Sequence, residues 1–126
     1  MDILLDTCSV LWFLIGDEKM SKPTRDIIHG AENKIYVSVA TVWEVGIKVS
    51  IGKLKFDGGI NGFIEAIEES GFSFLEVDIE HIIAVTKLPY IHRDPFDRMI
   101  IAQALIEGMA VMTTDADILK YDITHI

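Results

Sequence analysis

The sequence is poor in three features that each indicate a class of protein: cysteine, histidine at metal-ligand spacing, and long uncharged runs. A single cysteine cannot form a disulfide within the chain, so a reducing compartment is expected. The four histidines lack the spacing of a zinc site. No uncharged run reaches the roughly 18 apolar residues of a membrane span, and the N-terminus is acidic where a signal peptide is basic. A soluble, cytoplasmic protein without a membrane partner is therefore predicted.

Basic charge is also scarce. The chain has 11 Lys and Arg against 20 Asp and Glu, a formal net charge of −9. Nucleic acid binding is driven by Lys and Arg that release counterions, so this balance argues against a nucleic acid partner. It does not exclude one, because cations bound to a cluster of carboxylates would offset part of the excess.

The composition is that of an ordinary folded protein. Hydrophobic residues make up 50% of the 126 and charged residues 25%. A chain of this length fits one domain and buries enough surface to fold without a disulfide or a zinc ion. A single domain over residues 1–126 is predicted.

Short apolar runs alternate with helical stretches along the chain. Strands are predicted at 3–5, 35–37, 73–77 and 110–113, and residues 123–126 could add an edge strand. Strands separated by helices indicate a parallel sheet in a three-layer α/β fold. The apolar spacing and the capping residues, with Ser21 opening the second helix and Asp94 an N-cap before Pro95, predict helices at 10–14, 21–29, 39 to about 52, 60–70, 78 to before Pro89, 96–107 and 115–120.

Four acidic residues follow these strands or begin helices at their carboxyl ends. Asp6 directly follows the first strand, Glu44 lies about one turn into the helix after the second, and Asp115 closely follows the last. Ligands bind outside the carboxyl ends of parallel strands, so these residues should gather at one edge of the sheet. Asp97 is less firmly placed, because its helix follows a long irregular stretch.

Each acid also has a purely structural interpretation. Asp6 could cap the first helix, and Glu44 could complete a capping box that starts at Thr41. Asp97 is the third residue of a helix, where an acid is favourable, and Asp115 could begin a helix. It is the four together at one edge that favour a site.

Clustered carboxylates need a compensating charge. Two carboxylates about 5 Å apart repel each other by on the order of 3 kcal/mol at an effective dielectric constant of about 20. A few such pairs rival the whole stability of a domain, roughly 5–15 kcal/mol. Hard, oxygen-seeking cations such as Mg²⁺ or Mn²⁺ fit this donor set better than zinc does.

At these residues the sequence resembles the PIN-domain nucleases and, within them, the VapC-like toxins of type II toxin–antitoxin pairs. Order and spacing agree from one end of the chain to the other. The combination of Trp-Glu with His-Arg-Asp-Pro-Phe-Asp-Arg is the most specific part. The resembling segments are ILLDT at 3–7, VWEVGIK at 42–48, IGKL at 51–54, HRDPFDR at 92–98 and TTD at 113–115.

The resemblance implies a three-layer, Rossmann-like α/β/α fold with a central parallel sheet of four or five strands. It implies an endoribonuclease in which one or two Mg²⁺ or Mn²⁺ ions are held by Asp6, Glu44, Asp97 and Asp115. It also implies a cognate antitoxin protein as partner, and often a homodimer. The alternative is a PIN-like module that binds RNA or protein without catalysis, although all four acids are present.

Further residues have expected roles around these acids. Thr7, Asp94 and Thr114 could orient ligands, and the two threonines could equally be helix caps. Candidates for RNA phosphate contacts are Lys48, Lys53, Lys55, Arg93 and Arg98, with a solvated surface as the alternative for the lysines.

Four apolar or weakly polar residues are expected to pack. Cys8 falls in a mostly apolar helix and is predicted to be a small buried side chain. Trp12, Phe13 and Trp43 lie in apolar helical stripes, which fits core or interface packing better than base stacking.

Overall fold

The computed structural model describes residues 1–126, and its centre is a four-stranded parallel sheet. The strands lie side by side in the order β3-β2-β1-β4, and every neighbouring pair is parallel. The predicted α/β class and number of strands are confirmed. The strands are β1 at Asp2–Leu5, β2 at Lys34–Ser38, β3 at Ser73–Leu75 and β4 at Ala110–Met112.

Six helices connect and cover the strands. Two precede β2, two lie between β2 and β3, and two lie between β3 and β4. Ser21 and Asp94 cap two of them with their side chains, as the sequence predicts. The helices are α1 at Thr7–Ile15, α2 at Lys22–His29, α3 at Val39–Ser50, α4 at Gly59–Glu69, α5 at Ile79–Lys87 and α6 at Pro95–Glu107.

Two C-terminal elements are smaller than predicted. The helix expected from Asp115 is only a 3₁₀ turn at Ile118–Lys120, because the Asp115 side chain accepts from the backbone of the next residues and forms a local turn. The expected edge strand is reduced to one parallel bridge, between Val111 and His125.

The sheet is buried on both faces, which explains the uninterrupted apolar sequence of β1. Ile3 and Leu5 belong to a core cluster with residues of α1 to α4. Leu4, between them, belongs to a second cluster with Ile100 and Ile101 of α6. Successive strand residues point to opposite faces, so this alternation fixes helices on both sides of the sheet.

The strand order creates a topological switch point between β1 and β4. From β1 the chain adds β2 and then β3 on one side, and β4 returns to pair with the other side of β1. Connections diverge at such a point and leave a crevice at the carboxyl ends of the two strands. Asp6 follows β1 there, and Asp115 follows β4.

The packing prediction for Cys8 is wrong, and that for Trp43 is reduced to its interface alternative. Cys8 is exposed, because it lies in the first turn of α1 at the sheet edge, whereas Thr7 and Ser9 on either side are buried. Trp43 does not enter the core, since 66% of its surface is exposed, and Trp12 and Phe13 pack partly buried against the core. None of the helices has the length and apolar character needed to cross a bilayer.

Candidate active site

Asp6 is both the N-cap of α1 and a buried carboxylate at the switch point. Its Oδ1 accepts from the backbone N–H of Ser9 at 2.8 Å, and its Oδ2 accepts from the hydroxyl of Thr113 at 2.6 Å. Burial raises the pKa of Asp6; the bonds from Ser9 and Thr113 lower it, and the charge of Asp115 raises it. The capping role suggested by the sequence is therefore real, but it does not explain why the group is buried beside a second acid.

Glu44 lies in the interior of α3, and the capping-box interpretation is wrong. The helix begins at Val39 behind Ser38, whose hydroxyl accepts from the backbone N–H of Ala40 at 3.0 Å. Glu44 is 7% exposed, and its Oε1 accepts from the hydroxyl of Thr7 at 2.7 Å. Its Oε2 accepts from the ammonium of Lys48 at 2.8 Å.

Asp97 begins α6 beside two other polar groups. Asp94 caps the helix and accepts from the backbone N–H of Asp97 at 3.0 Å. The Asp97 Oδ2 lies 3.2 Å from Nε2 of His92. Burial, followed by the charge of Asp94, raises the pKa of Asp97 to about 6, with further increases from Asp115 and Glu44 and a decrease from His92.

Asp115 is the exposed member of the group. Its Oδ1 accepts from the backbone N–H of Asp117 at 2.8 Å. Its own N–H donates to the Thr113 hydroxyl at 3.0 Å, the same hydroxyl that donates to Asp6. One threonine therefore joins the acid that follows β1 to the acid that follows β4.

The structure brings all four predicted acids to one edge of the sheet. Asp115 raises the pKa of both Asp6 and Asp97, and Glu44 raises that of Asp97, so the groups share one electrostatic environment. Protein donors hold their oxygens in this arrangement, and no three acidic, histidine or cysteine groups converge closely enough to hold one ion. Binding an ion here requires side-chain rotation, for which Asp115 has the most freedom.

The donor set nevertheless fits a hard divalent cation. It offers carboxylate oxygens and hydroxyls, and Lys48 is its one directly bonded ammonium. Cys8 stands at the same edge, where partial burial, followed by the charges of Asp6 and Glu44, raises the pKa of its thiol. A cation of the Mg²⁺ or Mn²⁺ kind would relieve the repulsion among the acids.

Comparison with known proteins defines the family. The model of the PIN domain matches residues 3–123. The chain belongs to the PIN domain family. Curated proteins give no match to the sequence.

Solved structures share this PIN fold over nearly their whole length. A chain of VapBC2 from Rickettsia felis, bound to a promoter DNA fragment, gives a TM-score of 0.75 at 14% identity, covering 100% of this chain and 98% of that one. A chain of VapBC-1 from nontypeable Haemophilus influenzae gives a TM-score of 0.74 at 14% identity, covering 100% of this chain and 97% of that one. VapC20 from Mycobacterium tuberculosis, described as a sarcin–ricin loop cleaving toxin, gives a TM-score of 0.65 at 11% identity, covering 98% of each chain. At these identities the likeness shows the fold.

The basic residues of this PIN domain divide into free and engaged groups. Arg98 is 3% exposed, and its guanidinium donates to the Pro89 carbonyl at 2.8 Å and to the Tyr121 hydroxyl at 3.0 Å. The expectation that Arg98 contacts phosphate is therefore wrong. Lys48 is paired with Glu44, whereas Lys53, Lys55 and Arg93 are exposed and have no side-chain bond.

Sequence reasoning missed four residues of the PIN domain edge. Thr113 and Ser9 donate hydrogen bonds to Asp6. His92 is hydrogen-bonded to both Asp97 and Tyr121. Thr113 and His92 lie within the motifs that carry the resemblance, which is a signal that could have pointed to them. Nothing in the sequence places Tyr121 beside His92.

The four acids line none of the larger cavities, and only Asp115 among them is exposed. The larger cavities of this PIN domain are lined by other residues, and the largest, about 580 Å³, lies between α1 and α4. Small-molecule sites are typically enclosed cavities, so this position gives no support to a small-molecule substrate.

An apolar groove of about 460 Å³ lies between α3, α5 and α6. Trp43 and Phe96 form one wall, with ring centroids 5.3 Å apart in an edge-on arrangement. A largely exposed tryptophan beside further apolar side chains is typical of a protein interaction surface. Interface packing of Trp43 therefore stays a prediction.

Replacing Thr113 with valine should lower the free energy of unfolding of the metal-free protein by about 2 kcal/mol. The change keeps the shape but removes a bond to a buried carboxylate and leaves the Asp115 N–H without its acceptor. Urea unfolding measures the loss. The matched control is Thr114→Val, an exposed neighbour without a side-chain bond, which should change the value by less than about 0.5 kcal/mol. Equal effects of the two variants would contradict the bridging role of Thr113.

Proposed function

We propose that this PIN domain is a metal-dependent endoribonuclease and the toxin of a toxin–antitoxin pair. One observation carries the proposal: four acids from separate elements lie together where β1 and β4 end, and burial, followed by the charges of neighbouring acids, raises the pKa of Asp6 and Asp97. Keeping like charges together costs stability, and perturbed acids of this kind cluster at functional sites. Membership of the PIN family also supports a nuclease.

Asp6, Glu44, Asp97 and Asp115 would hold one or two Mg²⁺ or Mn²⁺ ions. Such an ion lowers the pKa of a bound water and offsets the charge that develops on a phosphodiester during in-line attack. The chain supplies the fixed scaffold: Ser9 and Thr113 hold Asp6, and Thr7 holds Glu44. Without a cation, the same acids repel phosphate.

RNA is the substrate that this proposal favours. The acids line none of the larger cavities, where a small molecule would bind, and the exposed Lys53, Lys55 and Arg93 supply charge that could attract phosphates. One structural neighbour is described as a sarcin–ricin loop cleaving toxin. Lys48 would contribute only after leaving Glu44, as ion binding there would require.

Two protein partners belong to the proposal: an antitoxin and a second copy of the chain. Structural neighbours include chains of VapBC complexes, which supports the antitoxin. The apolar groove beside Trp43 supplies a surface on which a protein could dock. We place the protein in the cytoplasm, where both RNA and an antitoxin would be available.

Cleavage of a mixed RNA pool tests the proposal directly. Purified protein, shown to be folded and free of a co-purified inhibitor, should cleave RNA with Mg²⁺ or Mn²⁺ and lose this activity in EDTA. Asp2→Asn is a suitable control, because Asp2 begins β1 at the opposite edge of the sheet and should leave cleavage unchanged. Absence of cleavage together with absence of Mn²⁺ binding would overturn the proposal in favour of a non-catalytic binding module.

A further inference from the structure

His92, Tyr121 and Arg98 form a chain of hydrogen bonds that ends on Asp97. His92 presents Nε2 to Asp97 Oδ2 at 3.2 Å and Nδ1 to the Tyr121 hydroxyl at 2.8 Å. Tyr121 is 5% exposed, and its oxygen accepts from Arg98 at 3.0 Å. None of these three residues is explained by the metal-ligand set.

Arg98 fixes the far end of this chain. Its guanidinium also donates to the carbonyls of Val85 at 3.2 Å and Pro89 at 2.8 Å, at and just beyond the end of α5. No carboxylate pairs with it, so its charge is balanced by oxygen dipoles and by the ring of Tyr90, whose centroid lies 4.2 Å from Cζ. The buried guanidinium therefore anchors the Tyr121 oxygen to the scaffold.

Proton counting assigns the direction of every bond. Arg98 and the backbone N–H of His92, at 3.0 and 3.4 Å, can only donate to the Tyr121 oxygen. The tyrosine hydrogen then has one remaining acceptor, Nδ1 of His92. A hydrogen on Nδ1 would give the oxygen three donors and leave its own hydrogen unpaired.

The other end of the chain gives the same answer independently. An ionised Asp97 can only accept, so Nε2 must carry a hydrogen. A neutral imidazole has one N–H, and both ends place it on Nε2. His92 thus donates to Asp97 as a neutral group.

We propose that His92 and Tyr121 are positioning residues that hold the Asp97 carboxylate in one orientation for cation binding. The inference rests on the proposed function. A neutral donor fixes one carboxylate oxygen without a positive charge that would repel a divalent ion, and it leaves Oδ1 free. Glu44 shows the contrast, because its partner Lys48 carries a charge that competes with a cation.

The tautomer can be tested without metal or substrate. Imidazole ¹⁵N spectra in EDTA, at neutral to slightly alkaline pH, should show His92 with its hydrogen on Nε2. In Tyr121→Phe the two tautomers should mix, because the fixed donor to Nδ1 is gone. A wild-type spectrum with the hydrogen on Nδ1 would overturn the assignment.

Metal affinity tests the positioning role. Titration calorimetry should show about tenfold weaker Mn²⁺ binding for Tyr121→Phe and His92→Ala, in the range usual for groups that orient metal ligands. His92→Gln keeps a donor of similar reach and should recover most of the affinity, and it serves if Tyr121→Phe does not fold. Tyr90→Phe is the control, because it removes only the unbonded hydroxyl of a residue that is 80% exposed and keeps the ring that lies over Arg98.

Cleavage kinetics separate positioning from chemistry. At saturating Mn²⁺, kcat of the variants should stay within about twofold of the wild type, because only the metal affinity has changed. Unchanged Mn²⁺ affinity in both variants, with normal binding by the wild type, would overturn the positioning role alone. A wild type that neither binds Mn²⁺ nor cleaves RNA would overturn this inference and the proposed function together.

Discussion

Replacing Asp97 with asparagine should abolish RNA cleavage and, at the same time, make the metal-free protein more stable. Loss of a carboxylate from a metal site removes several kcal/mol of transition-state stabilisation, so the rate should fall on the order of 10³-fold or more. The pKa of Asp97 is raised to about 6, which means that the fold disfavours its ionised form. After a discount for partial exposure, a neutral amide should raise the free energy of unfolding at pH 7 by about 1 kcal/mol.

Asp97→Asn should change cleavage and stability in opposite directions, which distinguishes a metal ligand from a structural residue. A residue with a purely structural role would lose stability and activity together. Cleavage rates with Mn²⁺ and urea unfolding in EDTA, measured on the same preparation, distinguish the two cases. Asp2→Asn should leave cleavage unchanged, since Asp2 lies at the amino end of β1, opposite the carboxyl ends where the acids lie. Wild-type cleavage by Asp97→Asn would remove this residue from the site.

Manganese should stabilise the protein strongly at pH 7 and weakly at pH 5. An ion that binds only the folded state at about 100 times its Kd adds about 2.7 kcal/mol to the free energy of unfolding. Below about pH 6, Asp97 must lose a proton before it can act as a ligand, so the apparent affinity should fall steeply. Unfolding curves at fixed Mn²⁺ across this pH range measure the effect.

The metal-free protein should show the complementary trend. The folded-state pKa of Asp97 lies above its usual value of 3.8, so between about pH 4 and 6 the folded state binds more protons than the unfolded state. Its contribution to stability therefore decreases as pH rises through this window and is constant above it. Asp6, with its pKa also raised, acts in the same direction. An Mn²⁺ effect of equal size at pH 5 and pH 7 would contradict an acid-based metal site.

Much of the fold follows from local sequence patterns. The buried run of β1 and the caps at Ser21 and Asp94 depend on neighbouring residues, and each is where the sequence predicts it. The parallel order then brings Asp6 and Asp115 to one edge as a matter of topology. A sequence with alternating strands and helices carries this information without any knowledge of tertiary contacts.

The side-chain environments required contacts that no local pattern reveals. Arg98 lies in a polar segment of the sequence, which predicts a surface residue that contacts phosphate. In the structure its guanidinium is buried and donates to the carbonyls of Val85 and Pro89, at and just beyond the end of α5. Cys8 begins a helix whose later residues, from Val10 to Ile15, are all apolar, yet it faces the sheet edge. His92 is linked to Asp97 through a tyrosine 29 residues further along the chain. In each case the deciding partner comes from another element.

The bond between Thr113 and Asp6 joins residues that are 107 positions apart. Contacts of such long range form late, because the entropy of closing the intervening chain must be overcome first. A partly folded molecule in which β1, β2 and β3 have associated would still lack the β4 side of the site. Under the proposed function, RNA cleavage would then begin only with the fully folded protein, and incompletely folded chains would be inactive.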